Sequence, residues 1–151
     1  MENIVVRAAS EGDAPIIRDF QLAMARETEN LELDMERVTR GVNAIFSGRG
    51  KGRYFISEAD GKVIASLLMT YEWSDWRNTD ICWFQSVYVL PEFRRRGVFR
   101  KMYEFIKEAA MKEGVGGLRL YVETGNLRAQ KTYESMGMDG SHYKMYEWLR
   151  D

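Results

Sequence analysis

The segment ICWFQSVYVL, residues 81–90, limits the fold of this chain more than any other stretch. It is apolar at both alternating sets of positions, so as a strand it must be covered on both faces and lie at the centre of a sheet. Pro91 ends it. Beyond the proline, RRRGVFRK (residues 94–101) gathers five cationic side chains around Gly97. From Gly97 to about Lys112 an amphipathic helix is expected, with Phe99, Met102, Tyr103, Ile106, Ala109 and Ala110 on one face. Lys101, Glu104, Lys107, Glu108 and Lys112 supply its wet face. Gly114, Gly116 and Gly117 close the helix, and LRLYVE (residues 118–123) returns as a strand. Strand, helix and strand in this order require a right-handed crossover, with two parallel or splaying strands set in an otherwise antiparallel sheet.

The rest of the chain supplies the antiparallel part. Residues 4–8 alternate as a short first strand, and Asp13 before Ala14 and Pro15 is expected to cap a helix with Ile16, Phe20 and Met24 on one face. A second helix is expected from about Asp34, carrying Val38, Val42, Ile45 and Phe46 and stopping by Gly48. The acidic stretch ETENLELD (residues 27–34) between them reads as a solvated loop. RYFISEA, the Asp60-Gly61 turn and KVIASLLMTYEW form a hairpin, and SDWRNTD is the polar turn leading to the central strand. Asn126 is expected to open a further helix through Met136 that Gly137 stops, and the tail HYKMYEWL is expected to be a last strand. GRGKG (residues 48–52) does not qualify as a nucleotide loop, because its Lys is followed by Gly and no strand precedes it.

One core is enough for these elements. A chain of 151 residues suits a single domain, residues 1–151, able to bury about two thirds of the surface its unfolded form exposes. With 45% hydrophobic and 30% charged residues and two prolines it reads as a folded globular protein. The formal net charge of −1 makes the arginine cluster a local feature, which argues against nucleic acid as a partner. A single cysteine, Cys82, excludes an intrachain disulfide and any multi-cysteine metal site, and it reads as a buried small hydrophobe. The single histidine, His142, reads as a strand-surface residue with no nucleophile motif near it. No signal peptide is apparent, and VIASLLM, the longest apolar run, is far short of the ~20 residues of a membrane helix. A cytoplasmic protein with no membrane partner and no metal is the expectation.

A strand that ends at a proline, an Arg-rich loop and a glycine at a helix entry form a nest of N–H groups backed by the positive end of the helix dipole, which suits phosphate. There is no Gly-Lys-Ser/Thr and no evident metal-binding aspartate, so the phosphates are held without being reacted on. That points to a cofactor whose pyrophosphate is only a handle, with coenzyme A the leading candidate. A charged helix entrance that holds no ligand is the alternative.

VYVLPEFRRRGVF (residues 87–99) resembles the acetyl-CoA signature of the GNAT superfamily of N-acetyltransferases, Gln/Arg-x-x-Gly-x-Gly/Ala after a strand and a proline. Arg94 fills its first position and Gly97 its central glycine, whereas Phe99 stands where the family most often has Gly or Ala. That ring would either crowd the pyrophosphate or point into the core. Downstream, Asn126, Ala129, Tyr133 and Gly137 in NLRAQKTYESMGM match the superfamily's second helix. The resemblance implies an α+β fold of three layers, with a mixed, mostly antiparallel sheet, a parallel splayed central pair and flanking helices. It implies transfer of an acetyl group from acetyl-CoA to a primary amine of a small molecule, peptide or protein. An acyl-CoA-binding module with little transferase activity is the alternative, and a homodimer is among the assemblies left open.

By the same resemblance, the backbone of Val87, Tyr88 and Val89 would hold the pantetheine arm and acetyl oxygen. Arg94, Arg95, Arg96, Gly97, Val98, Phe99 and Arg100 would receive the pyrophosphate, Asn126 and Ala129 would face the cofactor arm, and Tyr133 would protonate the sulfur. Relatives often carry a carboxylate base where this chain has Trp83 and Tyr121. Glu72 at the end of the third strand and Glu123 at the end of the fifth are the nearest alternatives, with Glu29, Glu32 or a water chain beside them. TYEWSDWRN and Trp83 supply three tryptophans, either to an aromatic acceptor pocket or to the core.

Overall fold

Five strands form one sheet in the spatial order β1 (Ile4–Ala8), β2 (Gly52–Ala59), β3 (Lys62–Ser74), β4 (Thr79–Val89) and β5 (Gly117–Arg119) in a computed structural model that describes residues 3–150. The first four strands pair antiparallel and β5 joins β4 in parallel. The helices are α1 (Ala14–Glu29), α2 (Met35–Phe46), α3 (Val98–Glu113) and α4 (Leu127–Ser135). The chain divides into two compact units, the first ending at Arg119 and the second beginning at Leu120.

Strand alternation separates two layers of core in the first unit. On one face Tyr54 and Ile56 pack with Ala14 and Ile17 of α1 and Val42 of α2. On the other, Phe55 pairs across the sheet with Leu67 and Met69 with Phe84, and α3 covers them. There Phe84 meets Tyr103 edge-on at 5.8 Å and Phe55 meets Phe105 at 6.1 Å. Burying α3 through Met102 and Ile106, both fully buried, gives the three layers expected. Asp60 and Gly61 take φ of +50° and +84°, the left-handed pair that a two-residue hairpin turn requires.

An irregularity in β4 shapes everything downstream of it. Gln85 opposes Leu68 and Tyr88 opposes Ser66, so β4 carries one more residue than β3 across this interval. Ser86 takes up the extra residue with φ +51°, a β-bulge. Because the bulge resets the alternation, Gln85 and Tyr88 lie on the same face of the sheet, the α1 face, although three positions apart.

Several expectations need correction. Asp13 does not cap α1 with its side chain; its carboxylate turns back to accept from Ser10 N at 2.7 Å and from Arg7 Nη1 at 2.8 Å. A short turn, Glu11–Asp13, already leads into the helix, and the guanidinium is the stronger partner. The acidic stretch is only partly loop, since α1 continues through Glu29. The strand expected over residues 118–123 is confined to Gly117–Arg119, because the ladder with β4 ends there.

The second unit carries α4. Asn126 caps it by accepting from Ala129 N at 3.1 Å. Gly137, at φ +90°, ends it: Gly137 N bonds Glu134 O at 3.0 Å and Met138 N bonds Tyr133 O at 3.1 Å. The tail expected as a last strand, residues 142–149, forms none. Alternation is only a propensity, and a strand exists by pairing; the tail's Tyr146 and Trp148 remain exposed. His142 is therefore not on a strand surface but packs against the ring of Tyr143 at 4.5 Å.

Candidate functional site

The parallel ladder has three rungs, Ile81 with Gly117, Cys82 with Leu118 and Trp83 with Arg119. Beyond Trp83, Phe84, Gln85, Tyr88 and Val89 of β4 are paired to β3, and the β5 ladder does not extend to them. The bulge at Ser86 falls inside this one-sided stretch, so the backbone of Val87 and Val89 lies on an edge that β5 does not satisfy. Amides fixed on such an edge can donate to an acyl oxygen.

From Val89 the chain passes through the turn Pro91–Phe93 and the arginine loop into α3. Arg95 and Gly97 both take left-handed backbone, φ +64° and +76°. Gly97 is the N-cap of a helix of 16 residues, and a Cβ built on it would meet nothing within 4 Å. Lys101 N bonds Gly97 O at 3.0 Å. Val98, Phe99 and Arg100 form the first turn of α3, whose amides point toward the N-terminal end of the helix. An open glycine, a helix N-terminus and the exposed Arg95, Arg96 and Arg100 around them fit a pyrophosphate. Phe99 does not crowd that space: its ring packs at 6.4 Å from Phe84 and 6.3 Å from Tyr103. Val98 is buried.

The arginines are not equivalent. Arg94 turns back, donating from Nε to Val89 O at 2.8 Å and from Nη2 to Glu27 Oε1 at 2.8 Å. Tyr88 donates its hydroxyl to Glu27 Oε2, and its ring lies 5.2 Å from Phe20. Burial, and then the bond to Glu27, push the Tyr88 phenol up to about 12. Arg96 stacks its guanidinium 5.3 Å from the ring of Phe93, and Lys101 Nζ donates to Ile4 O at 3.1 Å. Glu27 escapes sequence reasoning because it sits in an acidic stretch that reads as solvent-facing.

Glu72 stands across the end of the parallel ladder. Its Oε1 accepts from Arg119 Nη1 at 2.7 Å and from Trp83 Nε1 at 3.3 Å, the two residues of the last rung. Gln85 donates to Thr70 on the same face. The three tryptophans do not share that face. Trp73, opposite Asp80, lies on the other side of the sheet from Trp83, and Trp76 projects from the β3–β4 turn at 91% exposure. Glu32 is paired with Arg26 at 2.8 Å in an exposed position, and Glu29 is the last residue of α1. Cys82 is fully buried, and burial pushes its thiol up to about 11, so it is not a nucleophile at neutral pH.

In the second unit, Asn126 uses its side-chain oxygen as the cap to Ala129. Glu123 has an exposed side chain, and its carbonyl accepts from Gln130 Nε2 at 3.1 Å. Tyr133 is half-buried on α4, and burial raises its phenol above the ordinary value, so the hydroxyl keeps its proton at neutral pH. No helix among the described residues is long and apolar enough to cross a membrane.

The family model of the acetyltransferase (GNAT) family matches residues 19–138. Thialysine N-epsilon-acetyltransferase of Bos taurus is 28% identical over 149 residues, covering 91% of this chain and 85% of its own. The crystal structure of a possible acetyltransferase from Clostridium difficile 630 superposes with a TM-score of 0.87 at 44% identity, over 97% of each chain. An aminoglycoside N-acetyltransferase in complex with CoA shares the fold at 15% identity, with a TM-score of 0.81 over 100% of this chain and 97% of its own.

Proposed function

This chain belongs to the acetyltransferase (GNAT) family and is an acetyl-CoA-dependent N-acetyltransferase acting on an amine, and we propose that its acceptor is a primary amine of a small molecule rather than of a peptide or protein. The observation that carries this reading is the Glu72–Arg119 pair at the point where β4 and β5 part. One anion and one cation, 49% and 33% exposed, match a small amine that also bears a carboxylate. The bovine relative is by name an acetyltransferase of the N-epsilon amine of thialysine, which favours the same choice.

When bound, acetyl-CoA supplies the acyl group as a thioester. The amides of residues 87–89 hold its arm and acyl oxygen in this reading. Gly97, with the first-turn amides of Val98, Phe99 and Arg100, and with Arg95 and Arg96 nearby, receives the pyrophosphate. Arg94 shapes the loop. Asn126, with its amide nitrogen left to donate, and Ala129 line the arm. Glu72 takes the amine proton at Oε2, the oxygen that its two partners leave, directly or through water. Tyr133 holds the proton that a departing thiolate needs. Glu123 is the weaker candidate for the base, since its exposed carboxylate has no fixed partner. We propose that residues 1–151 serve as a single functional domain.

Acetylation of a panel of diamines, amino acids and lysine-bearing peptides tests the acceptor reading. Amines with a carboxylate should be preferred by the wild type, and Arg119→Gln should lose that preference. Diamines or peptides that serve as well as amino acids would remove the carboxylate from this account.

A further inference from the structure

Glu27 lies in the final turn of α1, where a carboxylate meets the negative end of the helix dipole. Position alone disfavours its charge, yet Tyr88 and Arg94 hold its carboxyl below the usual carboxylate range, Tyr88 being the larger cause. Both oxygens are used: Oε2 accepts from the Tyr88 hydroxyl and Oε1 from Arg94 Nη2 at 2.8 Å. Arg94 closes the arrangement through its bond to Val89 O, with its Cζ 5.4 Å from the Tyr88 ring centroid. One carboxylate on α1 thus grips the end of β4 at Tyr88 and the start of the arginine loop at Arg94, on either side of Val89 and the Pro91–Phe93 turn.

We propose that Glu27 is a positioning residue for acetyl-CoA, acting through Arg94 and Tyr88 to fix the end of β4 and the loop that leads to Gly97. This rests on the reading that the loop receives the pyrophosphate. As an isolated pair, Arg94 and Glu27, 43% and 37% exposed, would add little to stability. Their effect on cofactor binding is therefore separable from folding.

Glu27→Gln keeps the shape and an acceptor for the Tyr88 hydroxyl but loses the charge that holds Arg94. By calorimetry its affinity for CoA is expected to fall about tenfold, the scale of one charge-assisted hydrogen bond. KM for acetyl-CoA should rise in step, while kcat and KM for the amine stay within about threefold. Glu27→Gln combined with Arg94→Ala should bind CoA no worse than Arg94→Ala alone, because the two act as one unit. Glu27→Asp should restore part of the affinity. Tyr88→Phe, a second and milder variant, should show a smaller loss of the same kind.

Unchanged CoA affinity in folded Glu27→Gln would overturn the proposal, as would lost kcat with intact CoA affinity, or losses that add in the double variant. Gly97→Glu measured alongside separates the two readings. If it too leaves CoA affinity intact, the loop is not the cradle; if it weakens CoA binding while Glu27→Gln does not, only the role of Glu27 fails.

Discussion

Trp83 and Arg119 form the last rung of the parallel β4–β5 ladder, and Glu72 accepts a hydrogen bond from each of them. A carboxylate is thereby fixed where the two strands part. Glu72→Gln keeps both acceptor contacts on the amide oxygen and removes the carboxylate proposed to accept the amine proton. Turnover with a responsive amine should fall by ~10²-fold or more, the lower end for a positioned base, with KM for acetyl-CoA unchanged. Steady-state kinetics decide it; wild-type kcat would remove Glu72 as the base and leave Glu123 or water.

Gly97 is expected to answer to substitution in two ways. At φ +76° a Cβ costs ~1 kcal/mol in backbone strain, though nothing lies within 4 Å to clash with it. Gly97→Ala should therefore lower the melting temperature slightly and weaken CoA binding modestly. Gly97→Glu, which adds a carboxylate to the proposed pyrophosphate site, should weaken CoA binding sharply in a folded protein. Calorimetry with CoA and thermal unfolding of both variants provide the comparison, and equal CoA affinity in all three proteins would contradict the assignment.

Tyr133→Phe keeps the ring and removes the hydroxyl proposed to protonate the thiolate. Turnover at neutral pH should drop about ten- to a thousandfold with little change in CoA affinity or melting temperature. Loss of stability in proportion to activity would instead make Tyr133 a packing residue.

A stability test addresses the frame that holds α1. Asp13, only 12% exposed in its side chain, is paired with Arg7 at 2.8 Å, and Arg7 foremost holds its carboxyl below the ordinary value. Asp13→Asn should cost about 1–3 kcal/mol at pH 7. Because the folded-state pKa is depressed, this contribution is complete above the unfolded value of about 3.9 and is lost as the pH falls through the folded value. Thermal unfolding of both proteins as a function of pH should show the gap closing only below about pH 4. A gap that persists at full size in strong acid would place the effect elsewhere than in the carboxylate.

The crossover from β4 through α3 is legible in the sequence because its periodicity changes sharply at Pro91 and Gly97. The Asp60-Gly61 turn and the Asn126 cap are legible for a similar reason, since backbone geometry restricts which residues can stand there. Ser86 is not legible: a bulge is a mismatch between two strands, and neither strand shows it alone. Its consequence, Gln85 and Tyr88 on one face, hides the partner of Glu27 as well. The acidic stretch conceals Glu27 because charge density outweighs periodicity in the last turn of a helix, and the tryptophans read as one cluster until the register puts Trp73 and Trp83 on opposite faces. The tail shows the converse error, alternation without a partner strand.

The most direct measurement of the central claim is acceptor-dependent release of CoA from acetyl-CoA, followed across an amine panel with mass analysis of the products. Release should depend on a primary amine and yield the N-acetylated product of that amine, both strongly reduced in Gly97→Glu. CoA binding without acceptor-dependent release on any amine would contradict it and leave an acyl-CoA-binding module.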